Sequence, residues 1–380
     1  MKRILLIATG GTIASKQTQD GLAPSMDVNS LLSYIPDIKT VCKLDGISVM
    51  NVDSTNMTPA LMKSIAKTVA DNYGYYDGFV VAHGTDTMAY SAAAVTYMLK
   101  NLSKPVVFTG SQIPIEAMYT DAKKNLSDAI RFACEEIRGV YVVFDGIVIN
   151  GTHAMKVKTR NADAFKSINY PVIAHIKHGR ITYNEVLEPL KYKNEPNNDI
   201  DNSLILDTDM CKDIMLLKMF PGIGTGIFDY IKDNYKGVII ESFGIGGIPN
   251  EGNNNNIAGK ISELIQAGVA VVITTQCIYE GIDLNVYEVG QTMAKLNVIM
   301  SGDMTTEALT MKLMWALAHY DNIDDIKNLY PKVKINISSD DKYTKIIISD
   351  DVDIMTPGLN RILGNPYNIK VERTIPNVKA

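Results

Sequence analysis

Hydroxyl side chains at the ends of predicted strands are the residues with which this chain could do chemistry. The apolar residues 4–8 form a predicted buried strand, and a glycine turn and Thr12 follow it. Later apolar runs end in similar residues: Ser54 with Thr55, Thr85 with Asp86, and Ser111. Any one of these could simply cap a helix. Because the carboxyl ends of parallel strands meet at one edge of a sheet, the set predicts a pocket for a small polar substrate.

A nucleophilic hydroxyl also needs a base to take its proton. His83 lies close to Thr85 in sequence, and Lys156 and Lys158 follow the last strand of the first predicted domain. A histidine beside a glycine is commonly structural, and a lysine is commonly a solvated surface charge. Spacing alone leaves the choice between Lys156 and Lys158 open.

Several classes of function are disfavoured. Gly10-Gly11 does not continue as G-x-G-x-x-G, no P-loop is present, and no histidine has a partner at metal-ligand spacing, so neither a cofactor nor a metal is expected. The net charge of −5 gives no basic surface for nucleic acid, and no apolar run approaches the roughly 18 residues of a membrane helix. The four scattered cysteines predict reduced thiols in a cytoplasmic protein.

Strands and helices alternate along most of the chain, which is typical of an α/β protein with a parallel sheet. A larger N-terminal catalytic α/β domain is predicted for residues 1–182. The polar, proline-containing segment 183–212 is a predicted linker, and a smaller C-terminal α/β domain follows at 213–330. Short β-type runs at 333–337, 345–349 and 369–373 predict a small β-rich extension over residues 331–380.

Two motifs give the sequence a family resemblance. Residues 9–15, TGGTIAS, and residues 83–87, HGTDT, resemble the signature motifs of bacterial-type L-asparaginases, most of all the type I, cytoplasmic branch. Supporting matches, which extend the resemblance over roughly residues 2–330, are VDST at 52–55, TGS at 109–111, DAF at 163–165, GIGGIP at 244–249 and GDMT at 302–305. The resemblance implies an amidohydrolase that converts L-asparagine and water to L-aspartate and ammonia.

The resemblance also implies catalytic roles. Thr12 resembles the nucleophile that attacks the side-chain amide, and Thr85, Asp86 and Lys156 resemble the second catalytic group of the family. Lys156 is preferred because the family lysine stands nine residues before the phenylalanine that matches Phe165.

Substrate contacts follow from the same resemblance. Ser54 and Thr55 would hold the α-carboxylate of the substrate, and Asp86 would also bind its α-ammonium group. Ser111 would orient the amide through its backbone carbonyl. Backbone N–H groups near Thr12 and Thr85 are candidates for an oxyanion hole.

The loop after the first motif departs from the family pattern. Relatives often carry a tyrosine there that pairs with the nucleophile, whereas the nearest matching residue here is Leu22 and the first tyrosine of the chain is Tyr34. Thr85 and Lys156 are therefore expected to carry more of the proton transfer. The loop 16–25, with Gly21 as its hinge, is still a predicted lid.

Two other functions are compatible with parts of this pattern. Related chains are the amidase subunit of a glutamyl-tRNA amidotransferase, but these carry an extra N-terminal domain, and here the first motif begins within ten residues of Met1. A non-catalytic amino-acid sensor would be expected to lose Thr12, Thr85 or Lys156, and all three are present. An L-asparaginase is the favoured function.

The resemblance further implies a homo-oligomer, either a dimer or a tetramer. In type I relatives a regulatory asparagine site can occur near the dimer interface, and Cys277, at the end of a predicted strand, is suitably placed for it. The alternative for Cys277 is a buried apolar cysteine.

Overall fold

The computed structural model of the chain describes residues 1–18, 21–24, 26, 28–184, 203–249, 256–284, 290, 293–330, 332–339, 343–352 and 367–376. The chain forms two compact units. The first consists of Met1–Met210 and Met304–Trp315, and the second of Cys211–Asp303 and Ala316–Ala380. No helix within the described ranges is long and apolar enough to cross a membrane.

The first unit contains the following helices and strands in chain order: β1 (Arg3–Gly10), β2 (Ser15–Thr18), β3 (Gly21–Pro24), α1 (Val28–Ser33), β4 (Lys43–Val52), α2 (Pro59–Asn72), β5 (Gly78–Ala82), α3 (Met88–Met98), β6 (Leu99–Lys100), β7 (Pro105–Thr109), α4 (Ala122–Ala133), β8 (Gly139–Phe144), β9 (Ile147–Asn150), β10 (Ala154–Lys156), β11 (Phe165–Ser167), β12 (Ala174–Lys177), β13 (Arg180–Tyr183) and β14 (Ile205–Leu206).

An eight-stranded sheet organises this unit, with the strand order β13-β12-β9-β8-β7-β5-β1-β4. The strands from β4 to β8 in this order are parallel. β5 and β7 are wholly buried and β1 nearly so, which explains their continuous apolar runs. Their carboxyl ends meet at one edge of the sheet, as the sequence predicts.

The last three strands are antiparallel, which the sequence did not predict. β8 and β9 are joined by Asp145 and Gly146, with φ of 46° and 78°. Positive φ at both residues is typical of a tight hairpin turn, and a chain that turns back in two residues can only pair antiparallel.

Local signals fix the helices that flank the sheet. Thr58 caps α2 by accepting a hydrogen bond from the N–H of Leu61, and Pro59 occupies the first helical position. α4 buries one face that includes Leu126 and Ile130. These side chains belong to the core between the sheet and its helices.

The second unit has a parallel sheet with the order β15-β16-β17-β18. From residue 214 onward the elements are β15 (Ile214–Lys218), α5 (Gly226–Asn234), β16 (Gly237–Ser242), α6 (Ile257–Gln266), β17 (Ala270–Thr275), β18 (Ile299–Met300), α7 (Thr306–His319), α8 (Ile323–Asn328), β19 (Lys332–Ser339), β20 (Tyr343–Val352) and β21 (Tyr367–Pro376). Of these, α7 belongs to the first unit as far as Trp315. β19, β20 and β21 form an antiparallel sheet of their own.

The predicted fold class is confirmed: a larger, mainly parallel N-terminal sheet and a smaller C-terminal α/β unit. The three predicted strands of the extension are also present. The sequence missed α1 and the β2–β3 hairpin, which are short. Most of the predicted linker 183–212 lies outside the described residues. The domain limits drawn from the sequence stay predictions.

Candidate active site

Two glycines make the turn after β1. Gly10 and Gly11 have φ of 101° and 78°, values that favour glycine. A Cβ on Gly11 would lie 2.3 Å from the Cα of Gly84, and a Cβ on Gly84 would lie 2.6 Å from the Cβ of Ser54. The loops that follow β1 and β5 therefore touch backbone to backbone, and a side chain at either glycine would separate them.

Thr12 begins the short 3-10 turn Thr12–Ala14 directly after these glycines. The hydroxyl of Ser15 donates to the carbonyl of Gly11 at 2.8 Å, and this bond holds the turn closed. Thr12 is partly exposed, and its hydroxyl has no hydrogen-bond partner in the part of the chain that the structure describes.

Ser54 connects the loop after β4 to the loop after β5. It is buried, its hydroxyl accepts a hydrogen bond from the N–H of Asp86 at 3.3 Å, and its carbonyl accepts one from the hydroxyl of Thr87 at 2.8 Å. Thr55 is exposed, and its hydroxyl donates to the carboxylate of Asp53 at 2.8 Å. The structure thus brings Ser54 against Asp86 and leaves Thr55 at the surface.

Lys156 reaches this group from a distant part of the chain. It is the last residue of β10 and pairs with Phe165 of β11. Its Nζ donates to Thr85 Oγ1 at 2.8 Å and to Asp86 Oδ1 at 2.6 Å. The lysine side chain is 17% exposed and the aspartate side chain 54% exposed. A largely buried ammonium group therefore links the hydroxyl and the carboxylate.

The side chain of Lys158 contacts a different carboxylate. Its ammonium group forms an ion pair with the carboxylate of Asp163, and this bond lowers the pKa of that carboxyl group. Of the two lysines that spacing could not separate, Lys156 is the one that contacts Thr85.

Gln112 is a contact of Thr85 for which the sequence analysis predicts no role. The hydroxyl of Thr85 donates to Gln112 Oε1 at 3.2 Å, and Gln112 Nε2 donates to the carbonyl of Lys158 at 3.3 Å. Ser111, just before it, is buried, and its hydroxyl donates to the carbonyl of Ile113. The only sequence signal for Gln112 is its position after a strand end.

A network of polar side chains positions the loop that carries Gln112. The carboxylate of Asp121 accepts hydrogen bonds from the backbone N–H groups of Gln112 and Ile113, both at 3.0 Å. Asn125 donates to the carbonyl of Gly110 at 3.0 Å and accepts from the N–H of Asp145 at 2.9 Å. The start of α4 is thereby tied to the ends of β7 and β8.

His83 is fully buried and takes no part in the bonds around Thr85. Its Nδ1 lies 2.7 Å from the carbonyl of Gly84, so Nδ1 carries the proton. Burial lowers the pKa of His83 to about 4, so the ring is neutral near pH 7. The hydroxyl of Thr85 bonds with Lys156 and Gln112 instead, and the geometry favours a structural role for His83.

Three further predictions from the sequence can be compared with the structure; they concern the lid, the oxyanion hole and Cys277. Leu22 lies in β3 opposite Gln17, so the predicted lid begins as an antiparallel hairpin. The backbone N–H groups of Thr12 and Thr85 have no partner within the described residues, as oxyanion donors require. Cys277 is exposed, so the alternative of a buried apolar cysteine is wrong.

Comparisons with known proteins agree with this fold. Residues 3–188 match the family "Asparaginase, N-terminal", and residues 213–330 match "Glutaminase/Asparaginase C-terminal domain". An L-asparaginase from Thermococcus kodakarensis is 34% identical over 86% of this chain and 96% of its own length. A glutamyl-tRNA(Gln) amidotransferase subunit from Pyrococcus abyssi is 36% identical over 87% of this chain and 75% of its own length.

Solved structures of other proteins also resemble the fold of this chain. That of L-asparaginase I from Vibrio cholerae is 29% identical, covers 86% of this chain and 96% of its own, and has a TM-score of 0.76. Fold and relatives together define a hydrolase that acts on amides, built from two α/β domains. The chain belongs to the asparaginase family.

Proposed function

We propose that this chain is an L-asparaginase, which hydrolyses L-asparagine to L-aspartate and ammonia. The observation that carries the proposal is the bonding of Lys156 Nζ to both Thr85 Oγ1 and Asp86 Oδ1, across about seventy residues of sequence. An amide is unreactive near neutral pH, so its hydrolysis needs a nucleophile, a route for protons and stabilisation of the developing oxyanion. Thr12, the Thr85–Lys156 pair and nearby N–H groups would supply these three.

In this mechanism the hydroxyl of Thr12 attacks the side-chain amide carbon. Ammonia leaves, an ester to Thr12 forms, and water then hydrolyses that ester. The N–H groups of Thr12 and Thr85, which have no partner among the residues that the structure describes, would stabilise the oxyanion of each tetrahedral intermediate.

The substrate zwitterion would be fixed by groups of opposite charge or by hydrogen-bond donors. The carboxylate of Asp86 would bind the α-ammonium group, and Ser54 and Thr55 would bind the α-carboxylate. The hydroxyl of Ser111 is already bonded within its loop, which fits a role for its backbone carbonyl in orienting the amide.

The proton of Thr12 needs an acceptor other than a lid tyrosine, because Leu22 stands at the matching position. Thr85 is buried and bonded to Lys156, so it can pass a proton between the reacting groups and the lysine. We therefore assign Thr85 and Lys156 the larger share of proton transfer.

The test is ammonia release from L-asparagine, L-glutamine and D-asparagine, measured side by side. We expect Thr12→Ala to lower turnover of L-asparagine by about 1,000-fold or more, and Lys156→Met to lower it by about 100- to 10,000-fold. Lys158→Met and Thr40→Ala are matched controls, because Lys158 is paired with Asp163 and Thr40 is exposed. Full activity in folded Thr12→Ala would refute the nucleophile assignment.

A second candidate is the amidase subunit of a glutamyl-tRNA amidotransferase, because relatives as similar as the Pyrococcus abyssi protein have that name. Such a subunit would supply ammonia to a partner enzyme. Efficient release of ammonia from free L-asparagine by the isolated chain favours the asparaginase. Activity that appears only with a partner and glutamyl-tRNA favours the amidotransferase.

We also propose that the enzyme is a cytoplasmic homo-oligomer, a dimer or a tetramer. The four cysteines are free thiols, which fits a reducing compartment, and the family resemblance motivates the oligomer. Light scattering at micromolar concentration tests the assembly, and a monomeric mass would contradict it.

A further inference from the structure

Gln112 lies between Thr85 and the hairpin that carries Lys156, and its side-chain amide bonds to both parts of the site. Its Oε1 accepts a hydrogen bond from the hydroxyl of Thr85 at 3.2 Å. Its Nε2 donates to the carbonyl of Lys158 at 3.3 Å and to the carbonyl of Asn161 at 3.4 Å. Both carbonyls belong to the connection between β10 and β11. One side chain thus joins the loop after β7 to two other parts of the candidate active site.

The orientation of this amide is fixed by the two carbonyl groups that it meets. A carbonyl oxygen can only accept a hydrogen bond, so the amide nitrogen of Gln112 must face Lys158 and Asn161. The reversed amide would place oxygen against oxygen at both contacts, and its nitrogen would face Thr85. The amide oxygen of Gln112 is therefore the atom that the hydroxyl of Thr85 meets.

The orientation of the amide in turn fixes the hydroxyl of Thr85. That hydroxyl has one hydrogen, and since the amide oxygen of Gln112 can only accept, the hydrogen lies toward Gln112. The ammonium group of Lys156 can only donate, and it donates to the same oxygen of Thr85 at 2.8 Å. An acceptor on one side and a donor on the other leave the hydroxyl a single further lone pair, which points in a defined direction.

The same two contacts restrain rotation of the Thr85 side chain. A threonine side chain can occupy different staggered positions about χ1, and in the position found here Oγ1 meets both Gln112 and Lys156. Gln112 is itself anchored, because its backbone N–H donates to the carboxylate of Asp121 at 3.0 Å. Without the amide of Gln112 the hydroxyl of Thr85 would be bonded on the lysine side alone, and proton transfer depends on such alignment.

We propose that Gln112 is a positioning residue for amide hydrolysis, which holds the hydroxyl of Thr85 in the orientation that proton transfer needs. The inference rests on the proposed function, in which Thr85 and Lys156 move protons to and from the reacting groups. Gln112 acts through Thr85 rather than on the substrate, so its loss slows the bound complex and leaves substrate affinity nearly unchanged. Because it also bonds to the carbonyl of Lys158, it keeps the hydroxyl and the lysine-bearing hairpin in one fixed relation.

The experiment compares Gln112→Met with the parent chain in the ammonia-release assay. Methionine is similar in length to glutamine, but it lacks the amide oxygen that Thr85 meets and the N–H groups that meet the carbonyls. We expect kcat for L-asparagine to fall by about tenfold, as for the loss of one hydrogen bond, with KM within about twofold of the parent. Gln266→Met, the same substitution at the exposed end of α6, is the matched control and should leave both constants unchanged. Circular dichroism establishes that each variant is folded.

A double variant separates positioning of the hydroxyl from a general disturbance of the loop. Thr85→Val keeps the shape of the threonine side chain and removes its hydroxyl. Since Gln112 acts through that hydroxyl, adding Gln112→Met to Thr85→Val should change kcat by less than about twofold. A loss as large as that in the parent background would overturn the proposal, as would an unchanged kcat in folded Gln112→Met. Should Gln112→Met not fold, Gln112→Asn, whose amide is shorter by a methylene group, takes its place.

A measurement that needs no turnover keeps this inference distinguishable from the proposed function. NMR coupling constants of protein labelled at its threonine methyl groups report χ1 of Thr85. We expect a single staggered conformer in the parent and averaging between conformers in Gln112→Met, whereas a single unchanged conformer in the variant would overturn the proposal. If the parent released no ammonia from L-asparagine, L-glutamine or D-asparagine, the asparaginase assignment would fail, and the NMR result would still decide whether Gln112 holds Thr85.

Discussion

Protonation of His83 is expected to destabilise the folded chain in mild acid. The imidazole is fully buried, and burial lowers the pKa of His83 from 6.5 to about 4. The unfolded chain takes up this proton near pH 6.5, whereas the folded chain takes it up only near pH 4. The unfolded state therefore binds more protons between these values, and stability falls as the pH decreases through this window.

The size of the effect follows from the same two values. A tenfold difference in proton affinity is worth about 1.4 kcal/mol, so the difference between 6.5 and about 4 corresponds to about 3 kcal/mol. A typical free energy of unfolding is about 5–15 kcal/mol. One buried ring can thus remove a substantial part of the stability by about pH 4.

Urea unfolding of the parent and of His83→Asn, from about pH 7 to about pH 4.5, measures this effect. Asparagine does not titrate, and its Nδ2 can replace the Nδ1 donor to the carbonyl of Gly84. The parent should be the more stable chain at pH 7, and its advantage should shrink by up to about 3 kcal/mol in acid. An advantage that stays constant with pH would refute the linkage, as would an NMR spectrum in which the His83 ring of the folded parent is charged at about pH 5.5.

Other substitutions test the packing around the site. Gly11→Ala combines a positive φ with a backbone clash and should cost about 2–4 kcal/mol of unfolding free energy, together with most of the activity. Gly74→Ala is its matched control, because nothing lies within 4 Å of the new Cβ. Asn125→Leu removes one buried and two partly buried hydrogen bonds and should cost about 1–3 kcal/mol by urea unfolding, and no loss would contradict the positioning network. Thr58→Ala removes the cap of α2 and should cost about 1 kcal/mol, measured in the same way.

The parallel part of the fold could be predicted from the sequence because its signals are local. β1 and β5 are continuous apolar runs that end in glycine and hydroxyl residues. Those strand ends indicate where Thr12 and Thr85 lie without knowledge of any long-range contact. The antiparallel strands from β9 to β13 are at most four residues long, too short for a clear periodic pattern.

The contacts of the candidate site were less predictable. Lys156 and Thr85 are 71 residues apart, and their meeting depends on β10 and β11, two strands of three residues each. Spacing could not choose Lys156 over Lys158, and the choice came from a family motif. Gln112 was missed because an amide side chain after a strand has no distinctive pattern.

The contact between Gly11 and Gly84 has a consequence for exchanging parts between relatives. The loops that carry Thr12 and Thr85 share a surface made of backbone alone, with Ser54 close behind it. Neither loop can therefore be redesigned or transplanted alone unless the replacement keeps glycine at the point of contact. For a chimaera within this family, the two loops form a single transferable unit, although about seventy residues of sequence separate them.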